Sequence, residues 1–201
     1  MLIREIHHRV KNNMQIISSL LSLQSRAITD PSVQELFQET QGRVQSLSLV
    51  HELLYQSDNL NKINYRIYLQ KITSYLMSSD RTVRDRIRCT IRSEDLELSI
   101  EKAIPCSLII TEMVTNSLKY AFNGRESGKI TITFSFLHES GVFLLDYRDN
   151  GNGMPPGFDP KTSTGFGSSL IAGLTQQISG NLEFVDEGPG VHYIITFPPE
   201  E

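Results

Sequence analysis

Four short segments hold the residues able to do chemistry, and they lie far apart in the chain. The first, His7-His8-Arg9-Val10-Lys11-Asn12-Asn13, offers an imidazole nucleophile among cations and amides. The second is Glu112-Met113-Val114-Thr115-Asn116-Ser117-Leu118-Lys119-Tyr120; Asp149-Asn150-Gly151-Asn152-Gly153 and Gly165-Phe166-Gly167 follow it. On a helix, Glu112, Asn116, Lys119 and Tyr120 share one face. The Asn116 amide oxygen suits Mg²⁺, which keeps waters and shares phosphate oxygens. Lys119 can neutralise phosphate charge, and Glu112 can orient or polarise an attacking group. A solvated helix face uses the same residue types. Asp149 can accept a hydrogen bond from an adenine amino group while its glycines admit a close backbone; an ordinary hairpin turn has the same composition. Gly165-Phe166-Gly167 opens a helical pattern whose first amides can hold phosphate. The proline-containing stretch 154–164 reads as a lid over that site.

The elements that must position these groups follow from periodicity. Ile3, Ile6, Val10, Met14, Ile17, Leu20 and Leu21 make residues 2–27 an amphipathic helix. Asp30 caps a second helix with Pro31 in its first position, running to about Gln56. At helical pitch His8 points roughly 170° from the apolar stripe and His7 about 90°. His8 is therefore the outward histidine, with Glu5 one turn before it and Asn12 one turn after. Glu5 can take or orient its proton, and Asn12 can place a water for the reverse hydrolysis. A two-helix hairpin buries too little apolar surface alone. It must either dimerise into a four-helix bundle or pack on the rest of this chain.

Ser57-Asp58-Asn59-Leu60-Asn61 is a polar break, which divides the chain into 1–61 and 62–201. The second part reads as helices at 67–77, 104–122 and 168–179, with strands near 87–91, 129–136, 142–148, 182–185 and 192–197. Helices interleaved with adjacent strands, without strict alternation, predict an α+β sandwich. A net charge of −4 gives no global attraction to nucleic acid or anionic membrane. No run is long and apolar enough to span a bilayer, and no signal peptide opens the chain. Cys89 and Cys106 sit in apolar patterns without metal spacing and are expected as buried free thiols, consistent with a cytoplasmic location. The chain starts inside a helical pattern without a cap, as a fragment with an upstream region would.

Residues 62–198, through their three ordered motifs, resemble the ATPase domain shared by histidine kinases, gyrase-type ATPases, the 90-kDa heat-shock chaperones and MutL proteins. The resemblance implies an α/β sandwich with a mixed, mainly antiparallel sheet and helices on one face. It implies ATP and Mg²⁺ as ligands. Asn116 would serve the metal, Lys119 and Tyr120 phosphate or ribose, Asp149 adenine, and Gly151, Gly153, Gly165, Phe166 and Gly167 the nucleotide loops. Many members carry Thr after the glycine preceding the last strand; here Val191 follows Gly190, and Thr196 is the candidate for a related role. Through the string at 5–21, residues 1 to about 60 resemble the dimerisation and phosphoacceptor domain of sensor histidine kinases whose box reads His-Arg-x-Lys-Asn, close to the HWE type. That resemblance implies His8 as phosphoacceptor, a homodimer through the first two helices, a response-regulator aspartate as onward acceptor, and a sensor domain upstream of this chain. Arg9 stands where commoner histidine kinases have an acidic residue. Two rival readings use the same chain differently: a serine kinase of the anti-sigma-factor type, and a non-catalytic dimeric phosphotransfer scaffold.

Overall fold

The computed structural model describes residues 2–56, 62–78, 85–154, 166–185 and 188–199, with side chains of 2–4, 6–8 and 54–56 outside that set. Two long antiparallel helices come first, α1 (Leu2–Ala27) and α2 (Pro31–Gln56). The Asp30 carboxylate accepts from the Ser32 and Val33 amides at 2.9 and 3.4 Å, so the expected cap is in place. Then follow β1 (Lys62–Asn64), α3 (Tyr65–Ser78), β2 (Ile87–Ser93), β3 (Glu97–Ser99) and α4 (Ile100–Asn116). The final elements are β4 (Gly128–Leu137), β5 (Val142–Asp149), α5 (Phe166–Gln177), β6 (Asn181–Phe184) and β7 (His192–Phe197).

The main sheet has the order β2-β4-β5-β7-β6, and only the β2–β4 pair is parallel. Along β4 and β7, alternate residues are buried, so one face carries Ile130, Ile132, Phe134, Tyr193, Ile195 and Phe197. Helices α3, α4 and α5 cover that face with Leu69, Ile72, Ile109, Ile110, Met113 and Ile171. This is the expected sandwich. Short β1 and β3 pair with each other apart from the main sheet and were not expected; three residues are too few to show a period of two. α4 begins at Ile100, four residues before the expected start, and carries Pro105 inside it. The helix forfeits one hydrogen bond there, because proline has no N–H.

The hairpin packs on the rest of the chain, one of the two fates considered for it. The second half of α2 packs into the sandwich core through Val50, Leu49 and Leu53, and Ser46 Oγ lies 2.7 Å from Tyr68 OH. Ile16, Ile17, Leu20 and Leu23 of α1, with Val33 and Leu36 of α2, remain exposed. Cys106 is buried and Cys89 half-buried, both as free thiols, and burial pushes Cys89 up to about 11. The boundary segment 57–61 lies outside the described residues.

Phe134 sits fully buried where Tyr65, Phe143 and Phe197 converge. Phe134→Ala should cost about 3–5 kcal/mol, read as a lower urea midpoint at unchanged slope. A cost below about 1 kcal/mol would show that this aromatic cluster does not anchor the sheet.

Candidate functional site

The site forms where α4 loses its regular pitch. After Asn116 the helix widens into a π-turn over Ser117–Ala121, a feature common at functional sites. Ser117 then faces the end of β5 and donates its hydroxyl proton to Asp149 Oδ2. Tyr147 OH lies 2.8 Å from Ser117 Oγ and 3.0 Å from the Met113 carbonyl oxygen. A serine has one proton to give. Since it goes to the carboxylate, Ser117 Oγ accepts from Tyr147. Burial pushes the Tyr147 phenol well above its ordinary value, so it keeps that proton.

Asp149 itself is buried, 6% exposed. Its Oδ1 accepts from the Gly151 amide at 2.8 Å and the Val191 amide at 3.2 Å. With Ser117 on Oδ2, three donors hold the carboxylate; a carboxylate has about four acceptor positions, so one stays open for a ligand donor. Val191 thus reaches the aspartate through its backbone, without the threonine hydroxyl that many related ATPases place there. Gly190 makes this approach possible. Its φ is +100°, and a Cβ there would fall on the Asp149 carbonyl.

A cavity of about 600 Å³ opens from Asp149. Tyr147, Tyr193, Met154 and Ala121 line its inner end; Glu112, Asn116, Phe166 and Gly167 line the outer end. Burial, with the Asp149 charge, pushes Tyr193 up to about 12, so this wall stays uncharged. Gly167, in the first turn of α5, lies so close that a Cβ would come within 3.3 Å of Glu112 Oε2 and Asn116 Nδ2. Free amides of that turn therefore border the same space as the Asn116 carboxamide. A site with a buried acceptor at one end and amides, an amide oxygen and a carboxylate at the other fits a nucleotide with its divalent cation.

Residues 5–80 match the family model described as histidine kinase, and residues 101–201 match the one described as histidine kinase-, DNA gyrase B-, and HSP90-like ATPase. The chain belongs to the histidine kinases. It is 33% identical over 192 residues to the sensor histidine kinase PdtaS of Mycolicibacterium smegmatis, covering 94% of this chain and 37% of that protein. It is 28% identical to blue-light-activated histidine kinase 2 of Erythrobacter litoralis, covering 96% of this chain and 56% of the relative. The chain thus spans between about a third and just over half of these curated relatives. Among solved structures, the histidine kinase domain from the Erythrobacter litoralis EL346 blue-light activated histidine kinase superposes with a TM-score of 0.73. That match has 26% identity and covers 98% of this chain and 90% of the other.

Within this histidine kinase chain, Glu112, Asn116, Tyr120, Asp149, Gly153, Phe166 and Gly167 come together around one cavity. Gly151 contributes its amide to Asp149. Lys119 turns to α2 instead, where Glu39 Oε1 and Glu35 Oε1 lie 2.6 and 2.9 Å from its Nζ. Thr196 is not brought to the site. It falls on the face of β7 opposite Tyr193, paired with Leu144 and Asn181. Gly165 and most of the expected lid lie outside the described residues, as does the His8 side chain, though its backbone belongs to α1. Glu5 is exposed and bound by Arg9 at 2.8 Å, and Asn12 is exposed one turn beyond His8. Among the described residues, no helix is long and apolar enough to cross a membrane.

Sequence reasoning missed Ser117, Tyr147, Glu39 and Arg43. Arg43 of α2 reaches Glu112 with Nε at 2.5 Å and Nη2 at 3.1 Å, and lies 4.8 Å from the Phe166 ring centre. Ser117 adjoins Asn116, but a regular helix would turn it aside. Arg43 has no local signal, because its partner is 69 residues away.

Gly190→Ala should force a strained backbone worth about 1–3 kcal/mol and displace the Asp149 loop. Adenine-nucleotide affinity should fall at least about tenfold, equivalent to about 1.4 kcal/mol, in a chain that keeps its native circular dichroism. Wild-type affinity in that variant would mean the Gly190 approach does not shape the site.

Proposed function

We propose that this chain is the catalytic core of a two-component sensor histidine kinase. Residues 62–201 bind ATP with Mg²⁺, His8 of residues 1–61 takes the γ-phosphoryl group, and a response-regulator aspartate receives it next. The observation that carries this reading is Asp149: a buried carboxylate, held by three donors with one acceptor position open, at the inner end of a cavity that runs out to Asn116 and α5. An adenine amino group is a donor of the required kind; guanine presents a carbonyl in its place.

The chemistry is phosphoryl transfer, in which positioning and charge neutralisation do most of the work. Asp149 fixes the base, and Asn116 with the first amides of α5 receives the phosphates. Asn116 would hold Mg²⁺, which supplies charge neutralisation there. The lone pair of a neutral His8 nitrogen forms the new P–N bond as the bond from γ-phosphorus to the bridging oxygen breaks. ADP leaves with that electron pair, and the imidazolium proton passes to a base. Glu5 stands one turn away for that proton once Arg9 releases it, and Asn12 is placed to orient a water for the reverse hydrolysis. The exposed apolar residues Ile16, Ile17, Leu20 and Leu23, with Val33 and Leu36, favour a homodimer through α1 and α2.

Two variants test this reading. With γ-labelled ATP and Mg²⁺, His8→Gln should abolish incorporation of acid-labile phosphate while leaving ATP affinity intact; retained labelling would contradict His8 as the acceptor. Retained label that is acid-stable would favour the serine-kinase reading. Asn116→Ala should remove the dependence of nucleotide binding on Mg²⁺, followed by calorimetric titration. An unchanged Mg²⁺ dependence would exclude Asn116 as the metal's ligand.

A further inference from the structure

At the inner end of the cavity most hydrogen-bonding side chains are already committed. Asp149 Oδ1 takes the Gly151 and Val191 amides and Oδ2 takes the Ser117 proton, so the open acceptor position lies on Oδ2. The Ser117 proton is used on that carboxylate, and the Tyr147 proton on Ser117. Tyr193 lines the same end, and among the described residues nothing hydrogen-bonds its hydroxyl. The residue is 4% exposed. Its hydroxyl is not sealed off as the Tyr65 hydroxyl is, and so keeps contact with the open cavity.

The sheet explains why that phenol stands beside the carboxylate. In the antiparallel pair of β5 and β7, Tyr193 lies opposite Tyr147. Asp149 is two residues further along β5, on the same face. It is therefore a diagonal neighbour of Tyr193, a separation that a long aromatic side chain spans. The Tyr193 ring packs on Phe184 with 5.4 Å between ring centres. A phenylalanine would pack there equally well, so packing does not account for the hydroxyl. A hydroxyl held away from water without a partner lowers stability, and an arriving acceptor removes that penalty. Burial, then the Asp149 charge, push Tyr193 up to about 12, so it keeps its proton and can donate it at neutral pH.

We propose that Tyr193 is a specificity-determining residue whose hydroxyl donates to the ring nitrogen beside the adenine amino group, while Asp149 accepts from that amino group. The inference deepens the proposed function and rests on it. An acceptor and a donor side by side match the edge of adenine, where an N–H and a bare nitrogen occupy neighbouring positions. Guanine and hypoxanthine present a carbonyl and an N–H there, in the reverse order. Their carbonyl would face the Asp149 carboxylate, and their N–H would face a hydroxyl proton. Fixed polar groups reject a ligand that leaves them unpaired far more strongly than an apolar slot rejects a poor fit. The Tyr147–Ser117 chain reinforces this selection, because neither hydroxyl keeps a proton for a carbonyl base.

The test compares wild type with Tyr193→Phe in the full 201-residue chain. Each is titrated calorimetrically, in Mg²⁺, with ADP and with 1-deaza-ADP, in which a C–H replaces that one ring nitrogen. Wild type should bind ADP about three- to tenfold more tightly than the analogue, the worth of one hydrogen bond. Tyr193→Phe should lose the same factor for ADP and nothing further for 1-deaza-ADP, so that the two ligands become equal. A role in packing alone would weaken both ligands alike and leave their ratio as in wild type. That result, or wild-type ADP affinity in the variant, would overturn the assignment of Tyr193 while leaving the nucleotide site standing. A wild-type chain that binds neither ligand would overturn the proposed function and this inference together.

Discussion

A buried carboxylate whose oxygens must find hydrogen-bond donors is the constraint around which this molecule is built. Removing an unpaired carboxylate from water is far costlier than any single contact can offset. Asp149 meets that demand with the Ser117 hydroxyl and two backbone amides. Each donor imposes a requirement elsewhere. Ser117 faces inward only because α4 widens into a π-turn, and it is polarised by Tyr147 from the same strand as Asp149. The Val191 amide arrives only because Gly190 adopts a backbone closed to other residues. The Gly151 amide folds back because an Asp side chain can accept from the backbone two residues on. Sheet, helix and loop therefore agree on one geometry, and the acceptor left over is the part a ligand reads.

The second organising feature is the double use of α2. Its C-terminal half is a core helix of the sandwich through Leu49, Val50 and Leu53. Its N-terminal half presents Glu39 and Arg43 to the cavity. One rigid element thus ties the hairpin that carries His8 to the nucleotide site. Apolar burial supplies non-directional adhesion there, whereas the ion pairs are local and add orientation. Among the described residues Ile16, Ile17, Leu20 and Leu23 of α1 stay exposed.

Much of this arrangement was legible in the sequence, for identifiable reasons. The long helices show their period and their caps: Asp30-Pro31 marks the turn between them, and α1 and α2 have the bounds their patterns predicted. Glu112 and Asn116 could be grouped by helix spacing, and Asp149 and Gly167 joined them through the resemblance carried by the order of the three motifs. What escaped were features with no local signature. β1 and β3 are too short to alternate, and the π-turn is a property of α4 packed against Tyr147 rather than of its own residues. Lys119 looked like a phosphate ligand from its helix face, but α2, 80 residues away in sequence, claims it. Thr196 was carried by resemblance to a threonine that this chain lacks after Gly190, and strand alternation sends it to the other face of the sheet.

The most direct measurement is peptide mapping of the wild-type chain after incubation with γ-labelled ATP and Mg²⁺, under conditions that preserve acid-labile phosphate. The account predicts a single labelled site at His8, stable in alkali and lost in acid, with His7 unlabelled. Label on a serine, on His7, or on no residue of a chain that demonstrably holds ATP would contradict it.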